Sequence, residues 1–188
     1  MTKAEADDRP IYRHRKACYG FGAVVDQVDD RWGRPSPCPE WDARGVLEHV
    51  IGFHQVLLLG PLGVRANRPK DNIPGRWVAT QLAIFTALDA NWGHSVDLPN
   101  GSNLDVSRLL PMLTTDVLVH TWDLAMTIGV EAVLDADLCE TALYGARKNV
   151  AGLRSSGMFA APVNVPANAD LQSRLIAFLG RDPHWQGS

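Results

Sequence analysis

The sequence predicts an all-α fold, an up-down four-helix bundle with a short C-terminal extension, and three observations carry that prediction. Apolar residues recur at steps of three and four along most of the chain, the period of a helix with one buried face. Those stretches are bounded by breakers: a proline-braced segment at 34–42, Pro99-Asn100-Gly101, and Gly129. The 188 residues, 46% of them hydrophobic, are enough to bury one core, so residues 1–188 are expected to form a single domain.

The elements follow in order. Ile11, Cys18, Phe21, Val25 and Val28 mark a first helix over 11–28. His14 lies on it beside Arg13, Arg15 and Lys16, and is expected to be solvated. Pro35, Pro37 and Pro39 then hold the chain extended, because proline fixes its own backbone and restricts the residue before it. Asp42 has the chemistry of an N-cap. A second helix follows, with Val46, Leu47, Val50, Ile51, Leu57 and Leu58 inward, His49 at the stripe's edge and His54 aimed elsewhere. Residues 60–75 form a long connection of the kind that serves as a binding loop.

A third helix is expected over 76–92, with Trp77, Leu82, Phe85, Leu88 and Trp92, and Pro99-Asn100-Gly101-Ser102 breaks the chain after it. The fourth runs over 105–128 and stops at Gly129. A fifth covers 136–153, an extended stretch covers 155–166, and a short helix over 169–179 closes the chain before Gly180 to Pro183.

Composition excludes several functions. The formal charge of −3 and the pI near 6.0 leave no electrostatic footprint for nucleic acid. No apolar run reaches the length of a membrane span, and the charged N-terminus is no secretory signal. Cys18, Cys38 and Cys139 are scattered, with no CxxC pair, which argues for a reducing cytoplasm and against a disulfide framework or a cysteine zinc site. Phosphate-binding, dinucleotide-binding and serine-nucleophile motifs are absent from the sequence.

The fourth helix carries the chemistry. Val106, Leu110, Leu113, Val117, Leu124 and Ile128 define its apolar face; His120 falls on that face, and Asp116 sits one turn earlier at its edge. Burying an ionised carboxylate costs roughly several kcal/mol unless something positive pairs with it. Two readings compete: a satisfied Asp–His pair inside the bundle, or a metal ion held by both side chains.

Three segments resemble a known family. Pro37-Cys38-Pro39-Glu40-Trp41-Asp42 and Leu47-Glu48-His49-Val50-Ile51-Gly52 resemble the PCPxW…LxxHxxG segment of the mycothiol-dependent maleylpyruvate isomerase N-terminal domain. Asp116 to His120, with Asp123-Leu124-Ala125, resembles its ExxxHxxDLA segment. The tail from Val165 through Asp170 and Leu175 to Gly180-Arg181-Asp182-Pro183 resembles that of a short actinobacterial subgroup known only as metal-binding. Together these segments span about residues 10 to 185.

The resemblance implies a DinB-like four-helix bundle holding a divalent metal. It makes His49 the first ligand, His120 the last, and Asp116 the counterpart of the family's Glu, one methylene shorter. Two imidazoles and a carboxylate leave coordination positions open, the mark of a catalytic site. Zinc suits this set best, with nickel, iron or manganese as alternatives. Asp123, one turn past His120, either supports the centre or is a fourth ligand, or else makes a structural hydrogen bond, which is the expected role.

Family members of known activity use a small thiol. The implied function is therefore a metal-dependent thiol transferase or isomerase, with mycothiol as co-substrate and a small electrophile as partner. Trp41 and residues 60–75 would shape the pocket. Maleylpyruvate isomerisation itself is not expected, because the isomerase carries a second domain for which this chain has no room. The rivals are a non-catalytic metal-binding bundle and a metal-dependent hydrolase using Glu48 or Asp123 as general base. The sequence does not decide whether the chain forms a homodimer.

Overall fold

A computed structural model describes residues 10–92, 94–157 and 159–187. They are mostly helical, as expected, with one two-stranded hairpin.

Helix α1 spans Pro10–Val25, with proline at the first position, where its missing N–H costs nothing. Its buried face is His14, Ala17, Cys18, Phe21 and Val25. This corrects the expectation for His14: it is fully buried, and the charged neighbours around it point to the other faces. A 3₁₀ turn at Arg31–Gly33 follows, and Arg31 Nη1 donates to the Ile128 carbonyl at 2.7 Å. The proline segment closes on itself through a bridge between Pro35 and Asp42.

Helix α2 is Ala43–His54, and Asp42 caps it as expected, accepting from the Gly45 N–H at 2.7 Å. Beyond His54 the chain continues in a π-wound turn, Gln55–Leu59. Helix α3, Ile73–Asn91, begins three residues earlier than the apolar spacing suggests. The Asn72 side chain caps it from Gly75, and Pro74 fits its first turn. The segment around Pro99 is more than a breaker. Strands β1 (Ser95–Asp97) and β2 (Asn103–Asp105) pair antiparallel across it.

Helix α4, Val106–Ile128, is capped by Asp105 and stopped by Gly129 in the left-handed conformation. Every residue from Asp116 to Ala125 is buried, so its second half is enclosed on all sides. It packs most extensively on α1 and also contacts α2 and helix α5, Ala136–Lys148. The expected fifth helix breaks at Asn149 and resumes as α6, Val150–Ser156.

Helix α7, Leu171–Phe178, is capped by Asp170 and packs on α5. Past it Gly180 takes φ +84°, where a Cβ would come within 2.7 Å of the Ala160 carbonyl oxygen. That turn carries Arg181 back under α4. Among the described residues no helix is long and apolar enough to cross a membrane. The three cysteines are free thiols, Cys18 and Cys139 buried and Cys38 half-buried.

Candidate metal centre

His49 on α2 and Asp116 and His120 on α4 come together, as the sequence anticipates. His49 Nε2 lies 3.2 Å from Asp116 Oδ1, and His120 Nε2 lies 3.5 Å from the same oxygen. The two imidazoles meet edge to face, with ring centroids 4.7 Å apart. All three donor atoms fall within 4.8 Å of one another. The shorter aspartate therefore lies with both imidazoles, one turn before His120 on the same helix.

The surroundings fix each ring. Trp41 stacks on one face of His49 at 4.4 Å, and Phe53, one turn along α2, stacks at 5.5 Å. The sequence has Trp41 shaping the pocket; it packs on His49 and is not among the residues that line the cleft reaching Asp116. His120 Nδ1 lies 2.8 Å from Asp123 Oδ2, and a carboxylate can only accept, so Nδ1 carries the hydrogen. Neutral His120 then turns a bare Nε2 lone pair toward Asp116. Asp123 lies outside the His49–Asp116–His120 group and with Cys38 and His120 forms a neighbouring one; its contact with Nδ1 sets the tautomer of His120.

Asp123 is held in turn by Arg181, whose Nη2 donates to Oδ2 at 3.1 Å. The Cys38 thiol also donates to Oδ2, at 3.3 Å, while Arg181 Nη2 lies 3.1 Å from its sulfur. Neither Cys38 nor Arg181 was singled out for the site from sequence. Both belong to segments quoted for the resemblance, which was the only available signal.

The electrostatics show a cluster short of positive charge. Burial pushes the Asp116 carboxyl up, but His120 and His49 outweigh it and hold the group well below the usual carboxylate range. Burial pushes His120 down, but Asp116, with hydrogen bonds to Asp116, Asp123 and Cys38, lifts it well above an ordinary histidine. Burial likewise raises Asp123, and His120 and Arg181 more than reverse it.

Asp116 Oδ2 is buried and has no hydrogen-bond partner among the described residues. A buried carboxylate with one oxygen against two imidazole nitrogens and the other unpartnered is what a bound cation would satisfy. The N₂O donor set fits a divalent transition metal.

A cleft of about 330 Å³ reaches the cluster at Asp116. Arg13, Arg108, Pro111, Met112, Thr115 and Phe159 are among the residues that line it. Residues 60–75 do not contribute to it, contrary to expectation. Glu48 is no free base, since Arg76 grips both its oxygens, at 2.6 and 2.8 Å.

A helical fold with a His–Asp–His cluster spanning two helices defines the class. Residues 14–74 match the family model described as the mycothiol maleylpyruvate isomerase N-terminal domain, a span that includes Cys38, Trp41 and His49. Two uncharacterized proteins of Mycobacterium tuberculosis, from two strains, are each 32% identical over 180 residues, covering 92% of this chain and 97% of theirs. The chain belongs to the mycothiol maleylpyruvate isomerase N-terminal domain family. No solved structure matches.

Proposed function

We propose that this protein is a divalent-metal-binding DinB-like four-helix bundle, built on α1 to α4, that acts in the cytoplasm as a mycothiol-dependent transferase or isomerase on a small electrophile. The observation that carries the reading is the buried Asp116 carboxylate, its Oδ1 facing the Nε2 atoms of His49 and His120 and its Oδ2 without a hydrogen-bond partner among the described residues, in a family whose model is described by mycothiol chemistry. His49, Asp116 and His120 would hold the ion, zinc best. When bound, such an ion acts as a Lewis acid that makes a thiol available as thiolate near neutral pH.

The chain's own residues do the rest. Asp123 keeps the proton of His120 on Nδ1 and so presents Nε2. Arg181 neutralises Asp123 and stops it from competing for the centre. Trp41 and Phe53 clamp the more exposed His49 ring in one plane. The cleft that ends at Asp116 is largely apolar, with Arg108 among its lining residues, which suits a small, mainly apolar substrate.

One observation favours a second reading, a metal-binding protein without turnover. Of the three residues in the cluster, only Asp116 lines the cleft. The hydrolase reading loses support, because Arg76 holds Glu48 and Asp123 is tied to His120 and Arg181.

Elemental analysis of the purified protein tests the reading. The unaltered chain is expected to carry one divalent ion, and His49→Ala and Asp116→Ala to lose it. Metal-loaded protein should then consume mycothiol in the presence of a panel of small electrophiles. An ion retained by both variants rejects the centre. An ion without thiol binding or turnover leaves the non-catalytic reading.

A further inference from the structure

A second cluster lies wholly inside the core, on α1 and on the second histidine of α2. His14 and Cys18, one turn apart on α1, meet His54 at the end of α2, and all three are fully buried. His14 Nε2 lies 3.2 Å from His54 Nε2 and 3.6 Å from Cys18 Sγ.

The partners of these rings decide where their protons sit. His54 Nδ1 is 2.7 Å from the Val50 carbonyl, which can only accept, so the hydrogen of His54 is on Nδ1. Thr114 gives its one hydroxyl hydrogen to the Leu110 carbonyl at 2.7 Å. It can therefore only accept from His14 Nδ1, 3.1 Å away. Both neutral imidazoles are thus fixed as Nδ1–H tautomers, and their Nε2 lone pairs face each other across 3.2 Å with a thiol alongside.

The Cys18 thiol can donate to one lone pair but not to both. A proton added between the rings would be an unpaired charge in the core, and burial holds both histidines below their ordinary range. Phe21 and Trp77 are fully buried and pack edge to face, and Trp77 lies edge-on to His54 at 6.2 Å, so the surroundings are apolar.

We propose that His14, Cys18 and His54 form a second metal site, distinct from the His49 centre, that takes a single monovalent copper ion. Metal bonds of about 2.0–2.1 Å to nitrogen and about 2.3 Å to sulfur, opened at roughly 110–120°, separate the nitrogens by about 3.3–3.6 Å and nitrogen from sulfur by about 3.5–3.8 Å. The observed 3.2 and 3.6 Å are within a few tenths of those spans before any ion is added. Thiolate with two imidazoles is a copper donor set, and sulfur favours the soft Cu(I) ion.

Charge makes the same choice. Loading displaces the Cys18 proton to solvent, and Cu⁺, one thiolate and two neutral imidazoles sum to zero. No electron moves. A divalent ion would leave a net positive charge in an apolar core, which is costly to bury. The Val50 carbonyl and the Thr114 hydroxyl hold the two rings as partner groups do in known metal sites. The π-wound turn that begins at Gln55, just after His54, is a departure from α geometry of a kind common at functional sites.

This proposal stands independently of the thiol chemistry above. The test uses the full chain carrying His49→Ala, so that the first centre is disabled. The protein is refolded anaerobically with Cu(I) buffered by a chromogenic chelator, which makes loading independent of access to the core. A single retained equivalent is expected, and it should be lost when Cys18→Ala or His54→Gln is added. X-ray absorption at the copper edge should fit one sulfur and two nitrogens without needing the added variants to fold. No retained copper, copper unchanged by Cys18→Ala, or an absorption spectrum with no sulfur would each overturn the site.

Discussion

At the scale of the residue, Asp123 separates support of the centre from membership in it. It contacts His120 Nδ1, Arg181 and Cys38, so it acts on the donor atom His120 Nε2 only through the tautomer it sets. Asp123→Asn keeps an oxygen that can accept from Nδ1–H but removes the negative charge. His120 becomes a weaker base, and the Arg181 guanidinium loses its anion. Loss of such a partner group weakens metal affinity by about 10- to 100-fold. Competition against a chelator should show Asp123→Asn weakened to about that degree and Asp116→Asn far more. Equal affinity in Asp123→Asn and the unaltered chain would mean that the contact is architectural only.

At the scale of the element, the turn after α7 does the positioning. Gly180 has φ +84°, and a Cβ there would sit 2.7 Å from the Ala160 backbone oxygen, which cannot swing away as a side chain would. Gly180→Ala is expected to cost about 1–3 kcal/mol from the strained backbone, read as a lower urea midpoint at unchanged slope. It should also loosen the metal, because Arg181 would be drawn off Asp123. A midpoint shift with full metal affinity would detach the turn from the site.

What the sequence reveals about these elements follows their locality. Caps and stops are set by neighbours, so Asp42 and Gly129 could be read directly. Arg181 meets Asp123 across 58 residues and Cys38 across 143, and no local pattern encodes either contact. The hairpin was missed because its strands are three residues each, too short to show alternation. His14 is the instructive failure. The charges of Arg13, Arg15 and Lys16 suggested solvent, yet His14, Cys18, Phe21 and Val25 repeat at helical spacing, and that period gave the right face.

At the scale of the whole molecule, the histidines make the stability of the metal-free protein peak near the ordinary histidine pKa, about 6.5. His14 and His54 are lowered in the folded state by burial. As pH falls below about 6.5 the unfolded chain binds protons that these two refuse, so their contribution is present above that value and lost as pH falls toward their folded values. His120 has the opposite sign. It is raised in the folded state, so its contribution is complete below about 6.5 and is lost as pH rises toward its folded value.

Each titrating group contributes a slope of up to about 1.36 kcal/mol per pH unit. Two act on the acid side and one on the alkaline side, so the acid limb should be the steeper. Asp116 and Asp123, both held low, add a further loss below their ordinary range near 3.8. Urea midpoints of chelator-stripped protein across pH 5 to 8 would trace this asymmetric dome, and His120→Gln should flatten only its alkaline side. Bound metal should reverse that same side, since the ion needs the unprotonated Nε2 and binds better as pH rises. A profile that rises steadily through pH 8 without metal would show that Asp116 does not charge His120 in the folded protein.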